Sequence, residues 1–216
     1  MKLLVIGANG RTGKYVVKQG IERGHEVTAF TRKPEQLNGI EGLKAIIQGD
    51  ALNLDNVRQA VQGQDAVISA VGTSGIARNL IVAMREAGVR RLVMTSSRSV
   101  VATRPLFPVI LAWVIFRGVY ADLARAEGMI EMSGLDWSLV RATMLTNSPF
   151  TGKVHIDFEA NATGGAMSLG RADYAMTLLD VVENPQMVNK TLGVCGAKST
   201  QKQSASINQT AQNKQV

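Results

Sequence analysis

Gly7-Ala8-Asn9-Gly10-Arg11-Thr12-Gly13 sets three glycines at three-residue spacing. The apolar run 3–6 before it reads as a buried strand. Residues 11–23 after it read as a helix, with Tyr15, Val16, Val17 and Ile21 toward one side and Gly24 as its stop. A helix N-terminus carries unpaired N–H groups and a partial positive charge, and phosphate binds there when no side chain keeps the backbone away. Gly7 permits the tight turn, Gly10 the close approach, and Gly13 the packing of helix on strand. Glycine turns are common. Between a strand and a helix, at the start of a βαβ unit, this one marks a dinucleotide site. Asn9, Arg11 and Thr12 are counted with the glycines as cofactor-binding.

The next discriminating position is the end of the second strand, 26–31. A site for NAD places an acid there to hold the ribose 2′-OH. This chain has Thr31-Arg32-Lys33 and no acid until Glu35. The cations suit the 2′-phosphate of NADP(H), with Arg32 as the contact and Arg11 as a second cation, so NADP(H) is the expected cofactor. A solvated loop is the plainer alternative for Arg32 and Lys33. A third strand, 43–48, leads to Gly49-Asp50; Asp50 is placed to accept from the adenine amino group or to serve the turn, and Ala51 goes with it. The fourth strand, 66–70, ends in Ala70-Val71-Gly72-Thr73, residues small enough for a cofactor ribose to lie against the sheet, or a simple turn.

Further along, Asn53 caps a helix through Val61, and residues 74–87 form a helix ended by Gly88. A fifth strand, 91–95, brings in Thr95 as a cofactor residue. A helix over 120–132 stopped by Gly134, a strand over 137–142, a helix over 171–183 and a last strand over 192–194 complete the alternation. It predicts an α/β fold: a doubly wound parallel sheet with helices on both faces. Residues 153–167 read as irregular, a small C-terminal lobe or hairpin on the substrate side. One domain is expected over 1–196, and the polar tail 197–216 reads as disordered. The apolar stretch 106–116 is broken by Pro108 and is far shorter than the ~20 residues of a membrane span. It reads as a buried helix, a pocket wall, a dimer face or a membrane-surface contact; Trp113 within it is the candidate to stack on a planar substrate.

Composition narrows the function. The one cysteine, Cys195, excludes an internal disulfide framework and a thiolate metal cluster, and the two histidines, His25 and His155, have no metal-ligand spacing, so no metal is expected. A lone thiol and no visible signal peptide suit the cytoplasm. The net charge is +7, but Lys198, Lys202 and Lys214 lie in a tail without acids. The mildly basic remainder suits a phosphorylated ligand; with 5% aromatic residues and no dense basic run, nucleic acid is not the expected partner.

Five stretches carry a family resemblance: GANGRTG (7–13), QDAVISAVGT (64–73), RRLVMTSS (90–97), SGLDWSLVRATML (133–145) and SPFTG (148–152). With Arg32 and GDALN (49–53), they resemble the atypical short-chain dehydrogenases/reductases, in the NmrA-like NAD(P)H-binding branch, and especially the biliverdin reductase B/flavin reductase group. The resemblance covers 1–196. It implies a Rossmann-type sheet, NADP at the strand C-termini and an acceptor on the nicotinamide. Ser96 matches the serine at the end of the fifth strand and is the catalytic candidate. The family's Tyr and Lys, four residues apart, are not both here: Tyr120 is followed by Ala124, and Arg125 lies about 100° further round a helix. Leu123 and Met144 stand where the flavin reductase group has histidines.

A ketone acceptor needs a proton or strong donor for its alkoxide, whereas a flavin, quinone or tetrapyrrole delocalises the charge and takes its proton from water. The expected activity is therefore an NADPH-dependent reduction of a planar conjugated acceptor, lined by Thr143, Met144 and Leu145 after the sixth strand. Met144 is expected to pack rather than react. Arg125 and Glu127 read as a solvated or paired face, and Arg141 as an ion-pair partner or a substrate clamp. The alternative function is a non-catalytic NADP(H)-binding redox sensor or assembly factor. The state is a monomer or homodimer.

Overall fold

The computed structural model describes residues 1–101, 106–160 and 164–197, with the backbone alone for 106–115. The tail from 198 onward and the side chain of Trp113 lie outside the described residues. In chain order the elements are β1 (Lys2–Ile6), α1 (Gly13–Glu22), β2 (Glu26–Thr31), β3 (Ala45–Gln48), α2 (Leu54–Val61), β4 (Ala66–Ser69), α3 (Ser74–Ala87), β5 (Arg91–Ser97), α4 (Leu106–Glu131), β6 (Asp136–Ala142), β7 (Met144–Thr146), β8 (Val154–Asp157), β9 (Ser168–Gly170), α5 (Arg171–Glu183) and β10 (Lys190–Gly196).

Eight strands form one sheet in the order β3-β2-β1-β4-β5-β6-β10-β8, parallel except for β8. The chain starts in the middle, winds outward through β2 and β3, then crosses back to β4 and winds the other way. The reversal between β1 and β4 opens the crevice in which such sheets bind ligands. Both faces are covered, so β1 and β4 are apolar without alternation. One core holds Leu3, Val5, Val16, Val17, Val93 and Val140 with Tyr174, Leu178 and Leu179 of α5. The opposite core holds Leu4, Ile6, Phe30, Leu92, Met94 and Leu139 with residues of α2, α3 and α4.

Local signals explain the boundaries. Asn53 Oδ1 accepts from the N–H groups of Asp55 and Asn56 and starts α2. Gly88 takes the left-handed conformation that ends α3. Asn184-Pro185 closes α5.

Two expectations change. Of the segment 153–167, residues 161–163 lie outside the described residues, and the first part is not irregular. Its residues Val154–Asp157 become β8 and add antiparallel to β10, with Ile156 opposite Val194. Asp157 pairs with the buried Arg98, a partner that local sequence cannot reveal. The small lobe is a two-stranded ribbon of β7 and β9. The apolar stretch and the 120–132 helix merge into α4, broken at Phe116, where φ is −111° and ψ is 21°. Among the described residues no helix is long and apolar enough to cross a membrane.

Candidate functional site

The glycine turn lies at the crevice. Gly7 has φ +74°, and a Cβ there would come within 2.5 Å of Val71 Cγ2. A Cβ on Gly13 would overlap the Gly7 carbonyl, so this glycine sets how closely α1 approaches the turn. The first turn of α1 contains no acid, and Thr12, its N-cap, makes no side-chain capping bond, unlike Asn53 and Thr73 at α2 and α3. The N–H groups of Lys14 and Tyr15 donate to Gly10 O and Thr12 O at 3.1 and 3.0 Å, and no carboxylate competes for the positive end of the helix.

A cavity of about 390 Å³ opens beside this turn, over the C-terminal ends of β1 to β4. Of the expected cofactor residues, Gly7, Asn9, Gly10, Arg32, Asp50, Ala51 and Val71 line it; Arg11, Thr12, Gly13, Ala70, Gly72 and Thr95 do not. Arg32 is exposed and has no acidic partner among the described residues. Asn9 Nδ2 donates to Gln36 Oε1 at 3.0 Å and ties the turn to the loop after β2. Asp50 performs the turn role: Leu52 N–H donates to its Oδ1 at 3.0 Å, and its own N–H donates to Asn56 Oδ1. Its Oδ2 faces no protein donor among the described residues. The glycine turn at an acid-free helix start, the arginine without an acidic partner and the cavity together fit a phosphorylated dinucleotide.

Thr73, expected with the end of β4, also lines the cavity, as do Ile6, Phe30, Leu52 and Ile76, which were not expected from sequence. Leu52, two residues after Asp50, is left 60% exposed at the rim of the cavity.

Past Gly72 the site reaches β5 and β6. A Cβ on Gly72 would lie 2.5 Å from Thr95 O and 2.7 Å from Leu123 Cδ2, so this glycine serves the approach of β4 to β5 and α4. Thr95 Oγ1 shares a 2.5 Å hydrogen bond with Tyr174 Oη, which also reaches Val140 O at 2.6 Å. Burial raises the Tyr174 phenol above its ordinary value, so it stays protonated. Ser96 lies within β5 and is buried, its hydroxyl without a partner among the described residues; Thr143 Oγ1 is in the same condition. Leu145 packs against the α1–α5 core. Met144 does not pack as expected: it leads a two-stranded edge ribbon and is 67% exposed.

The uncertain role of Arg141 resolves into an ion pair. Its Nε and Nη2 donate to Glu127 Oε1 and Oε2 at 2.9 and 2.7 Å. Those bonds raise the guanidinium above its ordinary value against the effect of burial. Arg125 is exposed. Tyr120 packs edge-on against Phe116, with ring centroids 6.2 Å apart. Asp122 accepts from the backbone N–H and hydroxyl of Ser74, which pins α4 to the start of α3. That bonding, led by the Ser74 hydroxyl, holds the Asp122 carboxyl below its ordinary value. No group of residues among those described could hold a metal ion.

A doubly wound sheet with a phosphate-ready glycine turn at its switch point defines a Rossmann-type dinucleotide-binding protein. This chain belongs to the NAD(P)H-binding family, whose model matches residues 7–185. It is 27% identical to the isoflavone reductase homolog A622 of Nicotiana tabacum, over 88% of this chain and 67% of that protein. Among solved structures it is similar to a Rossmann-fold NAD(P)-binding family protein from Shigella flexneri, with a TM-score of 0.71 at 24% identity, over 92% of this chain and 96% of that one. It also shares its fold with ChuY, an anaerobillin reductase from Escherichia coli, with a TM-score of 0.80 at 20% identity, over 93% and 99% of the two chains.

Proposed function

We propose that this protein is an NADPH-dependent reductase that passes hydride to a planar conjugated acceptor such as a flavin, quinone or tetrapyrrole. The observation that carries the reading is the make-up of the acceptor end. Ser96 and Thr143 offer hydroxyls there, while Tyr120 has Ala124 four residues on and no lysine to tune it. Such a site supplies hydrogen bonds but no paired acid and base, which suits an acceptor that spreads its new charge and draws a proton from water.

Bound NADPH supplies the hydride. The chain's own residues bind and orient: the α1 N-terminus takes the pyrophosphate, Arg32 the 2′-phosphate, and Asp50 Oδ2 the adenine amino group. Leu52 and Ile76 give the cavity an apolar wall. Ser96 holds the nicotinamide or the acceptor by its hydroxyl. Preference for NADPH over NADH rests on Arg32 and on the absence of an acid at the end of β2.

The test is anaerobic NADPH oxidation with FMN, riboflavin, a soluble quinone and biliverdin, beside an Arg32→Glu variant. Turnover is expected, with the NADPH Kd raised about 10–100-fold by the charge reversal and the NADH Kd little changed. The second reading, a redox sensor or assembly factor, draws on the exposed Phe116 and Val119 at the break in α4. Tight NADPH binding without oxidation by any acceptor would establish it instead.

A further inference from the structure

The loop that carries Arg32 is fastened to the glycine turn at both of its ends. At the inner end Ala8 N–H donates to Phe30 O at 3.3 Å, where β2 runs beside β1. At the outer end Asn9 Nδ2 donates to Gln36 Oε1 at 3.0 Å. Between these ties the backbone folds tightly. Lys33 N–H turns back to Thr31 Oγ1 at 3.1 Å, and Gln36 N–H closes on Lys33 O at 3.2 Å. Pro34, with its fixed φ, opens the short 3₁₀ turn Pro34–Leu37, and the Leu37 side chain is buried in the core. Asn9, Thr31 and Arg32 all line the cavity, whereas Gln36 is exposed and does not. The Arg32 side chain bonds to nothing among the described residues. Where it stands relative to the turn is therefore set by its backbone and by the two ties. The inner tie belongs to the sheet; the outer one is a single bond between two side chains.

A dinucleotide with a 2′-phosphate presents two anionic groups at a separation fixed by one ribose. A site gains fully from both only when the parts that receive them already stand that far apart; otherwise binding must first order one of them. We propose that Gln36 is a positioning residue for cofactor choice: through Asn9 it holds Arg32 at the distance from the glycine turn that a 2′-phosphorylated dinucleotide requires. The inference rests on the reading that Arg32 takes the 2′-phosphate, and it adds the residue that makes Arg32 effective. Without the outer tie, the segment 31–36 is held to the turn at its inner end only, and a 2′-phosphate has to order it on binding. NAD lacks that phosphate and does not call on Arg32, so its affinity is indifferent to the tie.

The test is calorimetric binding of NADP⁺ and NAD⁺, which differ only in the 2′-phosphate and need no turnover. Gln36→Met keeps the length of the side chain and removes its amide at an exposed position. It is expected to weaken NADP⁺ about fivefold, the size of one net hydrogen bond, with NAD⁺ changed less than about twofold. Asn9→Ala should lower the preference for NADP⁺ over NAD⁺ by the same factor. The double variant Asn9→Ala/Gln36→Met should lower it no further, because one bond is lost in all three. In an Arg32→Ala background, Gln36→Met should leave the preference where Arg32→Ala put it. Equal losses for the two nucleotides in Gln36→Met would make the bond a structural one only. A loss confined to NADP⁺ that persists without Arg32 would make Gln36 a direct phosphate contact. Either result, or wild-type preference in Gln36→Met, would overturn the proposal. Failure of the NADPH reading looks different: the wild type would bind the two nucleotides alike and Arg32→Ala would change neither affinity, which would overturn the positioning role with it.

Discussion

Removing the Asp157 carboxylate tests how the outer edge of the sheet is held. Arg98 is almost fully enclosed, its side chain 4% exposed. Both its terminal nitrogens donate to Asp157 Oδ1 at 2.9 Å, Nη2 also reaches Oδ2 at 3.0 Å, and Nη1 reaches Glu159 O at 3.0 Å. Gly193 makes the room, since a Cβ there would overlap the guanidinium. Asp157→Ala leaves that cation buried without its counter-charge, which costs about 3–5 kcal/mol; the 12% exposure of Asp157 favours the lower end. The loss falls on β8, which pairs only with β10 among the described residues.

Cys195, the one cysteine of the chain, is fully buried opposite His155 of β8, with Sγ 3.8 Å from the His155 carbonyl and so close to Gly165 that a Cβ there would overlap it. If β8 opens locally, about 3 kcal/mol corresponds to roughly a 150-fold larger open fraction. Under native conditions, labelling of Cys195 by an aromatic disulfide should accelerate by about that factor. NADPH affinity should hold, because the cavity lies over β1 to β4. Adding Arg98→Leu should recover part of the loss, since an apolar pair is less costly than one stranded charge. A labelling rate within about threefold of wild type would refute the reasoning, because a break in a buried pair of this kind has to exceed 1 kcal/mol.

Three further outcomes are expected. Burial alone would raise the Glu183 carboxyl, but hydrogen bonds from His25 and Arg23 outweigh it and hold the group below its ordinary 4.5. Its folded value thus lies below its unfolded one, so its stabilisation is complete above about pH 4.5 and is lost as pH falls through the folded value. Glu183→Gln should flatten the acid limb of the urea midpoint against pH, and an unchanged slope would count against the pair. Arg91, driven down to about 10 by burial, donates to Val181 O, Val182 O, Asp136 O and Ser138 Oγ. Arg91→Leu should cost about 2–4 kcal/mol in chemical denaturation, and a loss below about 1 kcal/mol would contradict this accounting. Gly13→Ala should abolish NADPH binding in calorimetry, because the new Cβ displaces the turn; retained wild-type affinity would show that α1 can shift freely.

Features that act within a few residues were legible in the sequence. The Asn53 cap, the left-handed Gly88, the stop at Asn184-Pro185 and the glycine turn each depend on backbone geometry set by neighbours in the chain. Burial on both faces made the central strands readable as apolar runs, and their alternation with helices carried the doubly wound topology. The position of the crevice came with that topology, because it lies where the winding reverses. Only the tertiary structure decided the remainder. Asp157 meets Arg98 across 59 residues, and Thr95 meets Tyr174 across 79. Neither pairing has a local signature, since a lone charge or hydroxyl reads alike in a solvated loop and in a core. Glu127 read as solvated or paired and Arg141 as an ion-pair partner or a clamp until α4 crossed β6 and joined the two. Ser96 and Arg141 likewise came to share one face of the sheet only through the β5–β6 register, a relation between strands that neither strand encodes by itself.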